Sequence, residues 1–236
     1  MSGKASAAQR VLASIKEDIF KGVIKDGEII TERSLESRYG VSRTPIKEAL
    51  KLLEVEGWVE ITPRQETRVI PFGIAELEET VPIRIAIEGL AIKLCIQNLD
   101  AVSRAEFEHL LADLERLSEK IKVEDADTLA VYNVLDNRFH TMIFKYSNNR
   151  MLSIANYSRR SLAERTYRKI PLGMRRIRDG SDELKQIIRC ILGGNSLYAD
   201  IHLTNHIINS IDQKVKALKA DAEHRAAAKD GRLAHD

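Results

Sequence analysis

The chain has only two cysteines in 236 residues, Cys95 and Cys190, each alone inside an apolar helical pattern and without any Cys-x-x-Cys spacing. That favours two buried, reduced thiols over a disulfide or a thiol redox pair. Aromatic residues make up 5% and the formal net charge is only +2. Bulk charge therefore attracts no nucleic acid by itself, and any such reading has to come from where the charges stand. No uninterrupted apolar run approaches the roughly 20 residues that a bilayer span needs. Residues 1–10 are polar, with no apolar secretory stretch, so the expected location is the cytoplasm and no membrane partner is expected. Also missing are a phosphate-cradling glycine loop and a recognisable pairing of nucleophile and base, which leaves enzyme chemistry without its usual motifs.

What is present is 44% hydrophobic and 31% charged residues, the proportions of a soluble, helix-rich globular protein. The length suffices for two domains, each burying its own core. Residues 8–20 place Val11, Leu12, Ile15 and Ile19 at helical spacing, and Gly22 and Gly27 bracket a turn after them. Thr31 can cap a short second helix that carries Leu35 and closes at Tyr39 and Gly40. Ser42 suits an N-cap, Pro45 falls in a first turn, and Ile46, Ala49, Leu50 and Leu53 form the apolar stripe of a third helix ending near Glu56. Beyond Gly57, the residues Trp58, Val59 and Ile61, then 63–66, then Val69 and Ile70 read as two short strands around a turn.

The fold class is therefore mainly α. Residues 1–71 form a winged helix-turn-helix of three helices plus a two-stranded wing, and residues 71–73 are a linker. From Ile74 to about Leu218 the periodicity is helical, with breaks near 98–102, 123–127, 147–149, 171–181 and 193–195. Residues 72–219 are accordingly predicted as an all-α bundle of about six to seven helices. Residues 220–236, rich in Ala, Lys and Asp with nothing to pack, are predicted as a disordered tail.

Arg43, Thr44, Lys47 and Lys51 lie on the first turns and one side of the third helix, opposite its apolar stripe. A helix of this kind fits a major groove, where an arginine fork donates to guanine O6 and N7 and the capped N-terminus, with Ser42, meets phosphate. Arg33 and Arg38 on the preceding helix, with Arg64 and Arg68 on the wing, are placed to neutralise phosphates. A lone basic run is usually a solvated face. Here the short helix, glycine turn, capped basic helix and wing follow one another without a gap, which favours DNA binding.

Residues 40–50 (Gly-Val-Ser-Arg-Thr-Pro-Ile-Lys-Glu-Ala-Leu), followed by Leu53, Glu56, Gly57 and Trp58, resemble the signature of the GntR family of bacterial regulators over about residues 8–71. The resemblance implies DNA contacts from Arg33, Arg43, Thr44 and Lys47. Two departures stand out. Lysine replaces the usual arginine at Lys47, a point charge without the bidentate fork. Glu66 stands near the usual wing-tip glycine, an acidic side chain where phosphates would come close.

In the helical part, Asp136 and His140 are four apart and share a face, and His202 and His206 repeat the spacing. A carboxylate and imidazoles converging inside a bundle can hold zinc, nickel or manganese, although Asp-x-x-x-His alone more often marks an exposed or capping pair. Residues 74–215 resemble the FCD domain of the FadR-type branch, with Arg84 and Glu88 on its first helix, Asp136-x-x-x-His140 and a closing His206. That resemblance implies one aspartate and three histidines around a metal that helps to bind a carboxylate effector. Leu184 occupies the register of the middle histidine, so one ligand is missing. Three outcomes stay open: a three-ligand site of Asp136, His140 and His206, substitution by His202, or a pocket that works without metal. Arg84 suits an anionic effector, with a plain i,i+4 ion pair to Glu88 as the bland reading. The run Arg159, Arg160, Arg165, Arg168, Lys169, Arg175, Arg176 and Arg178 reads first as a solvated face, then as a second phosphate patch or a source of effector contacts.

The combined expectation is a homodimeric regulator, in the repressor sense, on a pseudo-palindromic DNA operator and controlled by a small organic acid. The rival class is a helical metal-dependent enzyme that acts on a small organic acid through Asp136, His140 and His206. An architectural DNA binder without any effector is a third reading.

Overall fold

The computed structural model describes residues 6–62, 66–122, 127–155 and 173–229. The chain divides into two compact units, one reaching to Phe72 and the other starting at Gly73.

In the first unit, α1 (Ala7–Phe20) opens with a reciprocal cap between Ser6 and Gln9 and buries Val11, Ile15 and Ile19. Helix α2 (Glu32–Tyr39) is capped in the same way by Thr31 and Ser34. It stops at Gly40, whose φ of 64° lies in the left-handed region that a side chain disfavours. The third helix, α3 (Arg43–Val55), begins after Ser42, whose side chain makes no cap hydrogen bond. Packing anchors it instead: Ile46, Ala49, Leu50 and Leu53 are all buried. At about 1.5–3 kcal/mol for each large apolar side chain removed from water, this stripe outweighs the missing cap, worth about 1 kcal/mol.

Trp58 is fully buried, edge-on to Phe20 at 5.2 Å between ring centres. Lys16 lies with its Nζ 5.0 Å from the indole and 2.5 Å from the Glu56 carboxylate, so a near-buried ion pair closes the seam between α1 and the end of α3.

The wing is larger than the two strands expected. Strands β1 (Ile29–Ile30), β2 (Val59–Thr62) and β3 (Glu66–Val69) form an antiparallel sheet in the order β1-β3-β2. Ile29 lies opposite Arg68, and Val59 opposite Val69. A two-residue strand has no room for the alternation that reveals strands in a sequence.

The second unit contains α4 (Ile74–Gln97), α5 (Ala101–Lys122), α6 (Thr128–Tyr146), a helical stretch at residues 150–155, α7 (Met174–Leu192) and α8 (Ser196–Lys229). Its core gathers Ile92, Phe107, Leu114, Phe139, Ile143, Leu184, Ile187 and Leu203. Two boundaries differ from expectation. The predicted break at 171–181 is helix from Met174 onward, because Gly180 serves packing and not a turn: a Cβ there would lie 2.1 Å from the Tyr132 hydroxyl. The predicted tail continues α8 to Lys229, since Ala, Lys, Glu and Arg are strong helix formers and an existing helix extends at one hydrogen bond per residue. Among the described residues no helix is long and apolar enough to cross a membrane.

Candidate functional site

Two sets of side chains stand out, one in each unit. In the first, the stripe that docks α3 turns its opposite edge to solvent: Arg43, Thr44, Lys47 and Lys51 are exposed, as are Ser42 before it and Arg33 on α2. Arg43 is not free, for its Nε donates to Glu32 on α2, and the charge and hydrogen bond of Glu32 raise its pKa. Both partners reach solvent, so this pair is worth little and can be exchanged for another anion. Arg38 pairs with Asp18 at 3.2 Å, and Asp18 also accepts from the Tyr39 hydroxyl at 2.8 Å.

On the wing, Arg68 donates to Glu66 through Nη2 at 2.6 Å and Nε at 3.0 Å, and to the Gly27 carbonyl at 3.0 Å. Glu66 thus acts on its neighbour's fork, a consequence more specific than the general acidity noted in the sequence. Arg64 lies outside the described residues, as do Arg159, Arg160, Arg165, Arg168 and Lys169 of the basic run.

In the second unit, Tyr132, Asp136 and His140 follow one another at four-residue steps on α6 and share a buried stripe. His206 reaches the same point from α8. One ligand atom from each of Asp136, His140 and His206 lies within 4.8 Å of the others, and all three residues are buried. Asp136 Oδ1 is 3.2 Å from His206 Nε2 and 3.8 Å from His140 Nε2. The other ring nitrogens also face carboxylates: His140 Nδ1 meets Glu88 on α4, and His206 Nδ1 lies 2.8 Å from Glu183 on α7.

Burial alone would push the Glu183 carboxyl up, but hydrogen bonds and charge from His206 and Arg176 outweigh it and bring it down to about 2. Burial would likewise lower His206, yet its bonds to Asp136 and Glu183 leave its pKa raised. Both ring nitrogens of His206 thus face carboxylate oxygens, Asp136 at 3.2 Å and Glu183 at 2.8 Å. The Tyr132 phenol is pushed well above its ordinary value by burial and by the Asp136 charge, to which it is hydrogen-bonded.

The remaining expectations fall as follows. Leu184, in the register of the missing histidine, is fully buried in the apolar core. His202 stays one turn away from the cluster and lines an open cleft of about 410 Å³ with Asp179, Asp182, Glu183, Gln186, Asn205 and Asn209. Arg84 donates from Nε to Glu88 at 2.7 Å, so the pair expected at an effector forms a chain Arg84–Glu88–His140. Arg176, read in the sequence as part of a solvated face, is instead buried, with its fork on both oxygens of Glu183 at 3.0 and 2.6 Å. Its seven-residue spacing to Glu183, two helical turns, was the available signal. Arg175 and Arg178 are exposed, as the solvated-face reading expects. Among the described residues, the Thr128 and Ser181 hydroxyls and the Arg176 Nε are buried without a hydrogen-bond partner.

A basic edge on a docked third helix, a small antiparallel wing beside it, and a helical unit with a buried polar cluster define a protein of the winged-helix class with a helical companion unit. Comparison with known proteins places it further. The family model for bacterial regulatory proteins of the gntR family matches residues 7–69, and that for the FCD domain matches residues 79–209. The chain belongs to the GntR family and carries an FCD domain. It is similar to the uncharacterised HTH-type transcriptional regulator YdhC of Bacillus subtilis, 33% identical over 58% of this chain and 59% of that one. It is also similar to the gluconate operon transcriptional repressor of Bacillus licheniformis, 31% identical over 62% of this chain and 57% of the repressor. The chain thus spans less than two thirds of the length of these curated relatives. Among solved structures, Escherichia coli McbR/YncC shares the fold with a TM-score of 0.65 at 20% identity, covering 90% of this chain and 99% of that one. These relatives are regulators, the class expected over the enzyme reading.

Proposed function

We propose that this protein is a DNA-binding repressor of the cytoplasm, working as a homodimer on a pseudo-palindromic operator, with its operator affinity set by a small organic acid. The observation that carries the reading is the exposed edge Arg43, Thr44, Lys47 and Lys51 on a helix whose other face is wholly docked. Arg43 reads bases once its exposed contact with Glu32 is exchanged for guanine, while Ser42, Arg33 and Arg68 position the head on phosphates. The repressor sense draws support from relatives named as repressors. The dimer reading draws on exposed apolar side chains, Ile83 and Leu90 on α4 with Leu197, Ile201 and Ile208 on α8, which stay wet in a single chain.

For the effector, the Thr128 and Ser181 hydroxyls and the Arg176 Nε offer buried polar atoms without partners on α6 and α7, suited to a hydroxylated carboxylate. The donor set Asp136, His140 and His206 suits a divalent ion such as zinc, nickel or manganese, with an open position for a carboxylate oxygen. Bound there, the ion would supply Lewis-acid attraction for the acid group. A ligand of this kind changes DNA affinity only if it binds two arrangements of the protein unequally.

The test is selection from randomised duplexes. The expected product is an inverted repeat with half-sites about one helical turn, or a multiple of it, apart, and Arg43→Ala weakens binding to it by about tenfold or more. An unchanged affinity for Arg43→Ala removes the reader.

A further inference from the structure

The buried cluster has more carboxylates than a three-ligand site requires. Glu88 and Glu183 come from different helices, α4 and α7, and neither coordinates with Asp136. Each instead meets the Nδ1 of one histidine, Glu88 that of His140 and Glu183 that of His206. Glu88 is fully buried and Glu183 about four-fifths buried. An ionised carboxylate only accepts, so the hydrogen in each contact belongs to the imidazole. In a neutral ring this fixes the tautomer: Nδ1 carries the hydrogen and Nε2 the lone pair. The Nε2 atoms of both rings then face one point, the Asp136 Oδ1 that lies 3.8 and 3.2 Å from them. The two outer carboxylates are themselves held. Arg84 donates to Glu88 at 2.7 Å, and Arg176 and Asn209 donate to Glu183 at 2.6–3.0 Å.

We propose that Glu88 and Glu183 are the positioning residues of a divalent-cation site at Asp136, His140 and His206, each aiming the Nε2 of one histidine through its Nδ1–H. This rests on the metal reading given above and names residues on which that reading does not depend. The arrangement offsets the leucine at position 184. With three protein ligands in place of four, affinity depends more on the basicity and preset orientation of those that remain, which an Nδ1–H to carboxylate bond provides. It also spreads the site over four helices, because the ligands stand on α6 and α8 and their supports on α4 and α7. An ion bound there would join all four helices through its ligands and their supports.

The experiment is a competition titration of the full chain with zinc against a chromophoric chelator, repeated with cobalt so that the absorption bands report ligand geometry. Removing one such support costs about 10- to 100-fold in metal affinity, which is the loss expected for Glu88→Gln and for Glu183→Gln at unchanged helicity, with altered cobalt bands. Asp182→Asn is the matched control. It neutralises the adjacent acid on the same helix, which is mostly exposed and pairs with Lys185 and not with a histidine. It is expected to bind zinc within about twofold of the parent, as an exposed charge does. Parent-like affinity in both Glu variants overturns the positioning role and leaves the metal reading standing, as does an equal loss in Asp182→Asn. A parent chain that binds neither ion overturns both. Should Glu88→Gln fail to fold, Glu183→Gln, which reaches solvent, decides alone.

Discussion

Gly180 is the residue on which the packing of the polar cluster turns most sharply. It sits inside α7, where replacing glycine by alanine ordinarily gains about 1 kcal/mol of helix propensity. Here the added Cβ would stand 2.1 Å from the Tyr132 hydroxyl and 2.8 Å from the ring carbon that bears it. Tyr132 has no exit: it is buried, and its hydroxyl is hydrogen-bonded to Asp136. The ring has to move and drag the hydroxyl away. Overpacking costs about 1–3 kcal/mol, and the lost hydrogen bond to a charged group about 1.5–3 kcal/mol. After the propensity gain, Gly180→Ala is expected to destabilise by about 1.5–5 kcal/mol, which moves the urea midpoint followed by ellipticity at 222 nm by roughly 0.5–2 M.

Gly89→Ala is the internal comparison. Its Cβ would meet Asp200 Oδ1 at 2.6 Å, the far end of a partly exposed side chain paired with Lys93. Asp200 swings away at the cost of a surface ion pair, so this variant is expected to stay within about 1 kcal/mol of the parent. Equal stabilities for the two alanine variants would refute the reasoning that Tyr132 is locked against α7.

Three further outcomes are expected. Glu56→Ala leaves Lys16 charged and nearly buried and costs about 3–5 kcal/mol, whereas replacing Lys16 and Glu56 together by Met and Leu costs far less; urea denaturation of both variants checks the pair. Burial pushes the Cys95 thiol up to about 12 from an ordinary 9.0, so between those values the unfolded chain loses a proton that the folded chain keeps. Stability then falls as pH rises, by up to about 1.4 kcal/mol per pH unit from this group, and a parent and Cys95→Ala that fall in parallel through that window would contradict the assignment. Glu66→Gln frees the Arg68 fork on the wing, and binding to a mixed-sequence duplex at low salt is expected to tighten by about two- to fivefold, an effect that vanishes in the Glu66→Gln/Arg68→Ala double variant.

The first unit was legible wherever structure depends on local chemistry. Thr31, Gly40 and the stripe Ile46, Ala49, Leu50 and Leu53 announce a capped helix, a left-handed stop and a docked face, and each is found in that role. Legibility fails where a residue answers to a distant partner. Gly180 and Ser181 look like a break because the reason for a glycine there is a tyrosine 48 positions away. The same holds for the polar cluster. Asp136 and His140 are visible at four-residue spacing, and His206 follows from the family pattern. Glu183 is marked locally only by its two-turn spacing from Arg176, which says nothing of His206, and the bond between His140 and Glu88 spans 52 positions that only the packed bundle brings together. Arg176 was hidden in a different way, within a run of arginines whose neighbours do face water.

The only tryptophan of the chain, Trp58, is sealed between Phe20 and Lys16 inside the first unit. Its emission is therefore an optical signal belonging to the winged-helix half alone, while far-ultraviolet dichroism is dominated by the long helices of the other half. Without any label, one cuvette can time the opening of the two halves separately and show which of them an added metabolite or ion protects.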